Sequence, residues 1–405
     1  MDSEKNSRAL VLAEPQAPQQ QNKKSYWGRM GGAYTTVFRA LLFVLPVFVI
    51  VFMAICAQAF TRDSIYVFAR DVRSVSSFLA SDYRDVSYTF EQGERQVLSY
   101  RDGVAAVTRN GVEIYSPDGE RLLDVPMSLE APRAAASHKY VLTYDFGKTS
   151  FVVTNAYDAL YEGKTDFPIL FATVADTGHF ALVTASDTHL SQVLLYDANF
   201  NLIQRFSRSS ATTGVAISEN GKYVSIGGIL TENGLPAGVV DTYRIGAKEP
   251  SFSARFGEPV LQVSYTDTQN MVLVFDGALR VMDVDGEVGG EVLLDGAALI
   301  DLDVQESGCA MLLCTDAMKD QYRVVLTDES GTVTYDAPFY GVPRAIALGE
   351  AHFFLLNGTE LLRYDPEDGG YQSKQCAPDA WQIYVTNGKN ARVIYDGVAK
   401  YVEFD

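Results

Sequence analysis

The sequence predicts an all-β fold, an eight-bladed β-propeller preceded by an N-terminal transmembrane helix. Three observations carry this reading. A strand, turn, strand unit recurs about every 41 residues, a third strand ending in a tight polar turn follows most copies, and one uncharged apolar run lies near the N-terminus. With 405 residues, 47% of them apolar, the chain can bury a large core within one big all-β domain.

The unit is clearest in "GVAISENGKYVSIGG" at 214–228, an apolar run, a polar turn and a second apolar run. "LFATVADTGHFALVTAS" (170–186), "LQVSYTDTQNMVLVFDG" (261–277), "IDLDVQESGCAMLLCTD" (300–316) and "PRAIALGEAHFFLLNG" (343–358) repeat it, with weaker copies at 98–112, 134–147 and 381–397. Aligned on the turn residue, the copies fall at Gly103, His138, Gly178, Gly221, Gln269, Gly308, Gly349 and Gly388. Their separations of 35 to 48 residues suit one four-stranded blade per copy. Eight copies give eight blades, or seven if the two weakest are one irregular blade.

A third strand follows in "EIYSPDG" (113–119), "LLYDANF" (194–200), "RVMDVDG" (280–286), "VVLTDESG" (324–331) and "LLRYDPEDG" (361–369). Each ends in the Asp, Asn, Ser and Gly residues that tight hairpins need, because central residues there adopt positive φ. A fourth strand comes next, as in "RLLDVPM" (121–127) and "NLIQRFS" (201–207). The last copy offers only three strands, "WQIYVTN", "ARVIYDG" and "KYVEFD", so its fourth is expected from "VSYTFEQ" at 86–92. That clasp would join the two ends of the ring and leave no open sheet edge.

From Ala40 to Ala57, "ALLFVLPVFVIVFMAICA" carries no charge, and Gln58, Ala59 and Phe60 extend it to 21 residues. At 1.5 Å per residue this spans roughly 31 Å, close to the ~30 Å hydrocarbon core of a bilayer. Lys23, Lys24, Arg29 and Arg39 precede the span, and no acid lies between Pro15 and Arg62, which places the N-terminus in the cytoplasm. The expected order is a disordered cytoplasmic tail at 1–36, a transmembrane helix at 37–60, a helical stalk at 61–84 and an extracytoplasmic propeller at 85–405. The stalk rests on Phe68, Val72, Val75 and Leu79, which recur at helical spacing. The lipid bilayer is therefore a partner through residues 40–60, and the location is the cell membrane, single-pass, with the propeller outside.

Charge is uneven. Residues 1–39 hold six Lys or Arg and three acids, leaving 27 basic against 48 acidic side chains in 61–405. Such a surface repels phosphates, so no nucleic acid is expected as partner.

Few residues suggest chemistry. Asp301 and Asp303 alternate with Ile300, Leu302 and Val304, which puts two carboxylates on one face of an inner strand, where they could hold a cation or serve as acid and base. They are the candidate metal site, against the plainer reading of solvated channel-lining residues. His138, His179, His189 and His352 show no metal-ligand spacing, and Cys309 and Cys314 lie five apart on one strand, facing opposite ways. "DVDG" (283–286) and "DPEDGG" (365–370) lack the full calcium-loop spacing and fit hairpin turns. No catalytic set is recognised.

The span at 40–60, the stalk and the hairpins at 170–186 and 214–228 together resemble an uncharacterised family of single-pass, membrane-anchored bacterial propellers, over about residues 35–405. The resemblance implies an extracytoplasmic propeller, quinoprotein-like in shape, and brings no established activity. Quinone-cofactor propellers carry a Trp-containing docking motif in most blades, whereas Trp381 is the single Trp beyond the span here, so no cofactor is expected. The expected function is a non-catalytic scaffold that binds an envelope protein, peptide or polymer. The alternatives are a metal-dependent hydrolase or lactonase-like enzyme using the channel carboxylates, and an assembly factor for exported proteins.

Overall fold

The computed structural model describes residues 83–88, 96–266 and 269–404. Among them, thirty-two strands form eight four-stranded antiparallel sheets, the blades of a propeller. Blades 1 to 7 cover 96–126, 132–164, 169–208, 211–256, 260–293, 298–340 and 343–375, each with its strands in chain order. Blade 8 takes Gln382–Thr386, Asn390–Ile394 and Val398–Val402 and borrows its outer strand, Val86–Ser87, from the start of the domain. Val86 pairs with Ala399 and Ser87 with Val398, the clasp that the sequence leads one to expect. The weak copies at 98–112 and 134–147 are separate blades, so the count is eight and not seven.

Burial explains why the inner hairpins read as continuous apolar runs. Second strands such as Val141–Asp145 and Phe180–Thr184 are buried along their whole length, because a blade packs on both neighbours and neither face meets water. Outer strands lose that cover. Leu202–Arg208 and Val333–Tyr340 alternate instead, with every second residue exposed. The turns into the outer strands repeat one device: Asp197, Asp283 and Asp328 each accept backbone N–H bonds from the residues two and four positions on. These carboxylates stand in for a backbone acceptor and fix the turn.

Eight apolar clusters join successive blades. Phe151 of blade 2 packs with Phe180 and Tyr196 of blade 3, and Leu312 of blade 6 with Phe353 and Leu355 of blade 7. The ring closes through Ile394 and Ala399 of blade 8, which pack with Val104 and Ala106 of blade 1 and with Val86 of the clasp. Blades 5 and 6 approach so closely that a Cβ on Gly290 would stand 2.2 Å from the Gly331 oxygen.

The tail, the span at 40–60 and the stalk as far as residue 82 lie outside the described residues. Tyr83 and Arg84, at the end of the expected stalk, are already tied to the propeller: Arg84 N donates to Pro117 O at 3.0 Å. Among the described residues no helix is long and apolar enough to cross a membrane.

Candidate functional site

In a four-stranded antiparallel sheet the first and third turns lie at one end, and the second turn and the linkers at the other. At the first end the inner strands open into a funnel. One cavity of about 640 Å³ is lined from blades 1, 2, 6, 7 and 8, and another of about 280 Å³ from blades 2 to 6. They meet at His138, Gln305 and Glu306, so all eight inner strands contribute.

The lining is acidic. Asp102, Asp176, Glu219, Asp303, Glu306 and Glu350 outnumber the basic lining residues Arg101 and His138. Glu219, Glu306 and Glu350 are exposed at the mouth, whereas Asp102 and Asp176 are half-buried. His138 Nδ1 stands 3.4 Å from Asp176 Oδ2, between blades 2 and 3. That contact, outweighing partial burial, raises the His138 pKa. Burial pushes the Asp176 pKa up, but bonds from His138 and Ser137 prevail and hold it low. The other oxygen of Asp176 is shielded and has no hydrogen-bond partner.

Asp301 and Asp303 lie where alternation places them, on one face of the first strand of blade 6. Their carboxylates are engaged by the next blade. Asp301 Oδ2 accepts from Ile346 N and Asp303 Oδ2 from Leu348 N, both at 2.8 Å. Ile346 and Leu348 belong to Pro343–Leu348, the first strand of blade 7, so two side chains supply acceptors to a strand edge that has no neighbouring strand. The remaining oxygens are also occupied, by Leu302 N at 3.0 Å and Gln305 Nε2 at 2.8 Å. Burial raises both pKa values, that of Asp303 to about 6. A bulge at Ile300 sets this face by shifting the pairing from Leu299 with Leu313 to Asp301 with Leu312. The same irregularity opens the first strands of blades 3, 4, 5 and 7, so it belongs to the repeat and not to these aspartates alone.

Nearby, Tyr384 Oη donates to Val97 O at 2.7 Å across the seam between blades 8 and 1, and burial, with both aspartates, pushes its phenol pKa far up. Cys309 is buried, Cys314 and Cys376 are half-buried, and all three are free thiols. Among the described residues no group of three or more His, Cys, Asp or Glu side chains stands close enough to hold a metal ion. The funnel rim is the feature that residue-level reading of the sequence did not single out. Its signal is there in retrospect, because Asp176, Glu219 and Glu306 each sit two positions before the aligned turn glycine of their copy.

Among curated proteins, none matches this sequence. Several solved propellers share the fold at low identity. BamB from Moraxella catarrhalis superposes with a TM-score of 0.54 at 13% identity, covering 80% of this chain and 98% of that one. Apo AztD from Citrobacter koseri gives 0.51 at 9%, covering 75% and 92%. Sqt1 from Chaetomium thermophilum, bound to the N-terminus of ribosomal protein L10, gives 0.53 at 11%, covering 80% and 100%. Residues 80–402 match the family of unknown function DUF5711, four-fifths of the chain, and this protein belongs to that family.

Proposed function

We propose that the protein is a membrane-tethered, extracytoplasmic binding scaffold whose funnel receives a basic segment of a protein or peptide. The observation that carries this is the funnel lining, in which carboxylates from blades 1, 3, 4, 6 and 7 converge on two adjoining cavities with Arg101 and His138 as the basic members. Low-dielectric walls focus the field of such a cluster, and a cation entering the mouth is drawn inward. The same field disfavours nucleic acid. Sqt1, of similar fold, is seen bound to a protein N-terminus, which supports reading a propeller of this architecture as a receptor for an extended segment. The tether is the uncharged run at 40–60, and the Lys and Arg residues before it favour a propeller on the outer side.

Titration of the full chain in detergent with decalysine and with decaglutamate tests the reading. Decalysine should bind and decaglutamate should not, and binding should weaken as salt rises. Replacing both Glu306 and Glu350 by Lys should reduce decalysine affinity by about tenfold or more, equivalent to ~1.4 kcal/mol. Failure of decalysine to bind, or binding indifferent to salt and to these changes, defeats the proposal. Protease added to intact cells should cut the chain beyond Phe60, and full protection of a domain that is cleaved after lysis would remove the outer location.

A further inference from the structure

We propose that residues 83–87, where the chain joins the ring, form a strap that senses occupancy of the funnel, because strap and funnel hold opposite oxygens of one carboxylate, Asp102. This rests on the reading of the funnel as a binding site for cations. Asp102 Oδ2 accepts from Tyr83 Oη at 3.1 Å, and Oδ1 accepts from Asn387 N at 3.2 Å. Asp102 and Asn387 both line the larger cavity. Burial first, and Asp102 second, push the Tyr83 phenol up to about 12, so it stays a donor at neutral pH.

The rest of the strap is fixed beyond Tyr83, with Val86 buried in the cluster that closes the ring. Its ladder with blade 8 is two residues long. Arg84 N donates to Pro117 O at 3.0 Å, Arg392 Nη1 donates to Arg84 O at 2.9 Å, Tyr401 N donates to Asp85 Oδ1 at 3.0 Å, and the Tyr83 ring stacks on Tyr401 at 4.9 Å. Tyr83 precedes the ladder and is held by its bond to Asp102 and by the ring stack, so losing that charge-assisted bond loosens the leading end of the strap before the buried Val86 moves. A cation arriving in the funnel competes with the Tyr83 hydroxyl for the Asp102 carboxylate. Occupancy therefore loosens the strap, and by reciprocity loosening the strap tightens binding.

Hydrogen exchange of the full chain, read on peptides covering 83–88, tests this with decalysine and two variants. Saturating decalysine should speed exchange there by about fivefold or more, at the lower end of ordinary coupling. Tyr83→Phe keeps the ring stack but lacks the hydroxyl. It should show the faster exchange without decalysine, respond little to it, and bind it more tightly by the same factor. Ser99→Lys places a tethered ammonium in the funnel and should loosen the strap with no added probe. Decalysine binding with unchanged exchange at 83–88 overturns the strap and leaves the funnel reading intact. Unchanged exchange in Ser99→Lys also overturns the strap, whether or not decalysine binds. Faster exchange in Ser99→Lys together with no decalysine binding upholds the coupling and defeats the funnel as a receptor.

Discussion

Arg392 Nη1 donates to the carbonyl oxygen of Arg84 at 2.9 Å, joining positions 308 apart in the chain. The same guanidinium reaches Ala399 O at 3.4 Å, Asp102 O at 3.4 Å and Pro117 O at 3.1 Å, and its side chain is 1% exposed. One cation thus binds blade 8, blade 1 and the strap together at the point where the ring closes. Burial holds its pKa below the usual arginine range, although Asp85 and Asp102 oppose this.

Arg392→Met should therefore destabilise the domain by at least about 3 kcal/mol, since bonds from a charged donor contribute roughly 1.5–3 kcal/mol each and the bonds to the carbonyls of Ala399 and Pro117 are buried. Arg392→Lys should recover less than half of the loss, because a point-like ammonium cannot span four separated oxygens. Denaturant melts of the full chain measure both, and a Met variant as stable as wild type would show that the clasp does not depend on this residue.

Asp303 predicts a pH dependence. Its pKa near 6 lies above the ~3.9 of an exposed aspartate, so the folded state binds the proton more tightly than the unfolded state. Its contribution to stability is fully present below about pH 4 and is lost as pH rises through 6. Asp303→Asn keeps an acceptor for Leu348 N and carries no charge. Relative to wild type it should gain roughly 2 kcal/mol between pH 4 and pH 7.5. A stability difference that stays flat across that range in thermal melts would mean that Asp303 remains ionised throughout.

Asp301→Ala should cost about 1–3 kcal/mol at any pH, because the Ile346 amide loses its acceptor. Melting temperature reports the cost, and exchange of the Ile346 amide locates it. No loss would mean that water replaces the carboxylate at that edge.

Gly331→Ala tests the tight seam between blades 5 and 6. Gly331 has φ 87°, and an added Cβ would lie 2.7 Å from the side chain of Val281. Left-handed backbone alone costs a residue with a Cβ about 1–2 kcal/mol, before any clash. Gly246 has the similar φ of 88° with nothing near its added Cβ, so Gly246→Ala should cost the backbone part only. Equal losses in the two variants would mean that the seam relaxes freely.

Much of this architecture is legible in the linear chain. The hairpin at Gly221 reads as strands because both of its strands are largely apolar and buried, as is the second strand of the hairpin at Gly308, and the spacing of the copies follows from four short strands per blade. The clasp at Val86 follows from counting strands in the last copy. The candidate site is legible only in part. Alternation places Asp301 and Asp303 on one face of a strand, but nothing local in the sequence says that the amides of Ile346 and Leu348, 45 positions later, stand opposite. Arg392 reads as one more charge between apolar neighbours, Ala391 and Val393, until four carbonyls from separate segments surround it.

The sequence by itself determined the class and the join and narrowed the blades to eight or seven, because strand alternation, turn chemistry and repeat length are local properties that survive without knowledge of neighbours. The tertiary structure alone decided which groups meet. Packing between blades sets how far each inner strand slides past the next, and that offset makes Asp303 a partner of a backbone amide, gives Asp102 to both strap and funnel, and gathers scattered turn carboxylates into one acidic mouth.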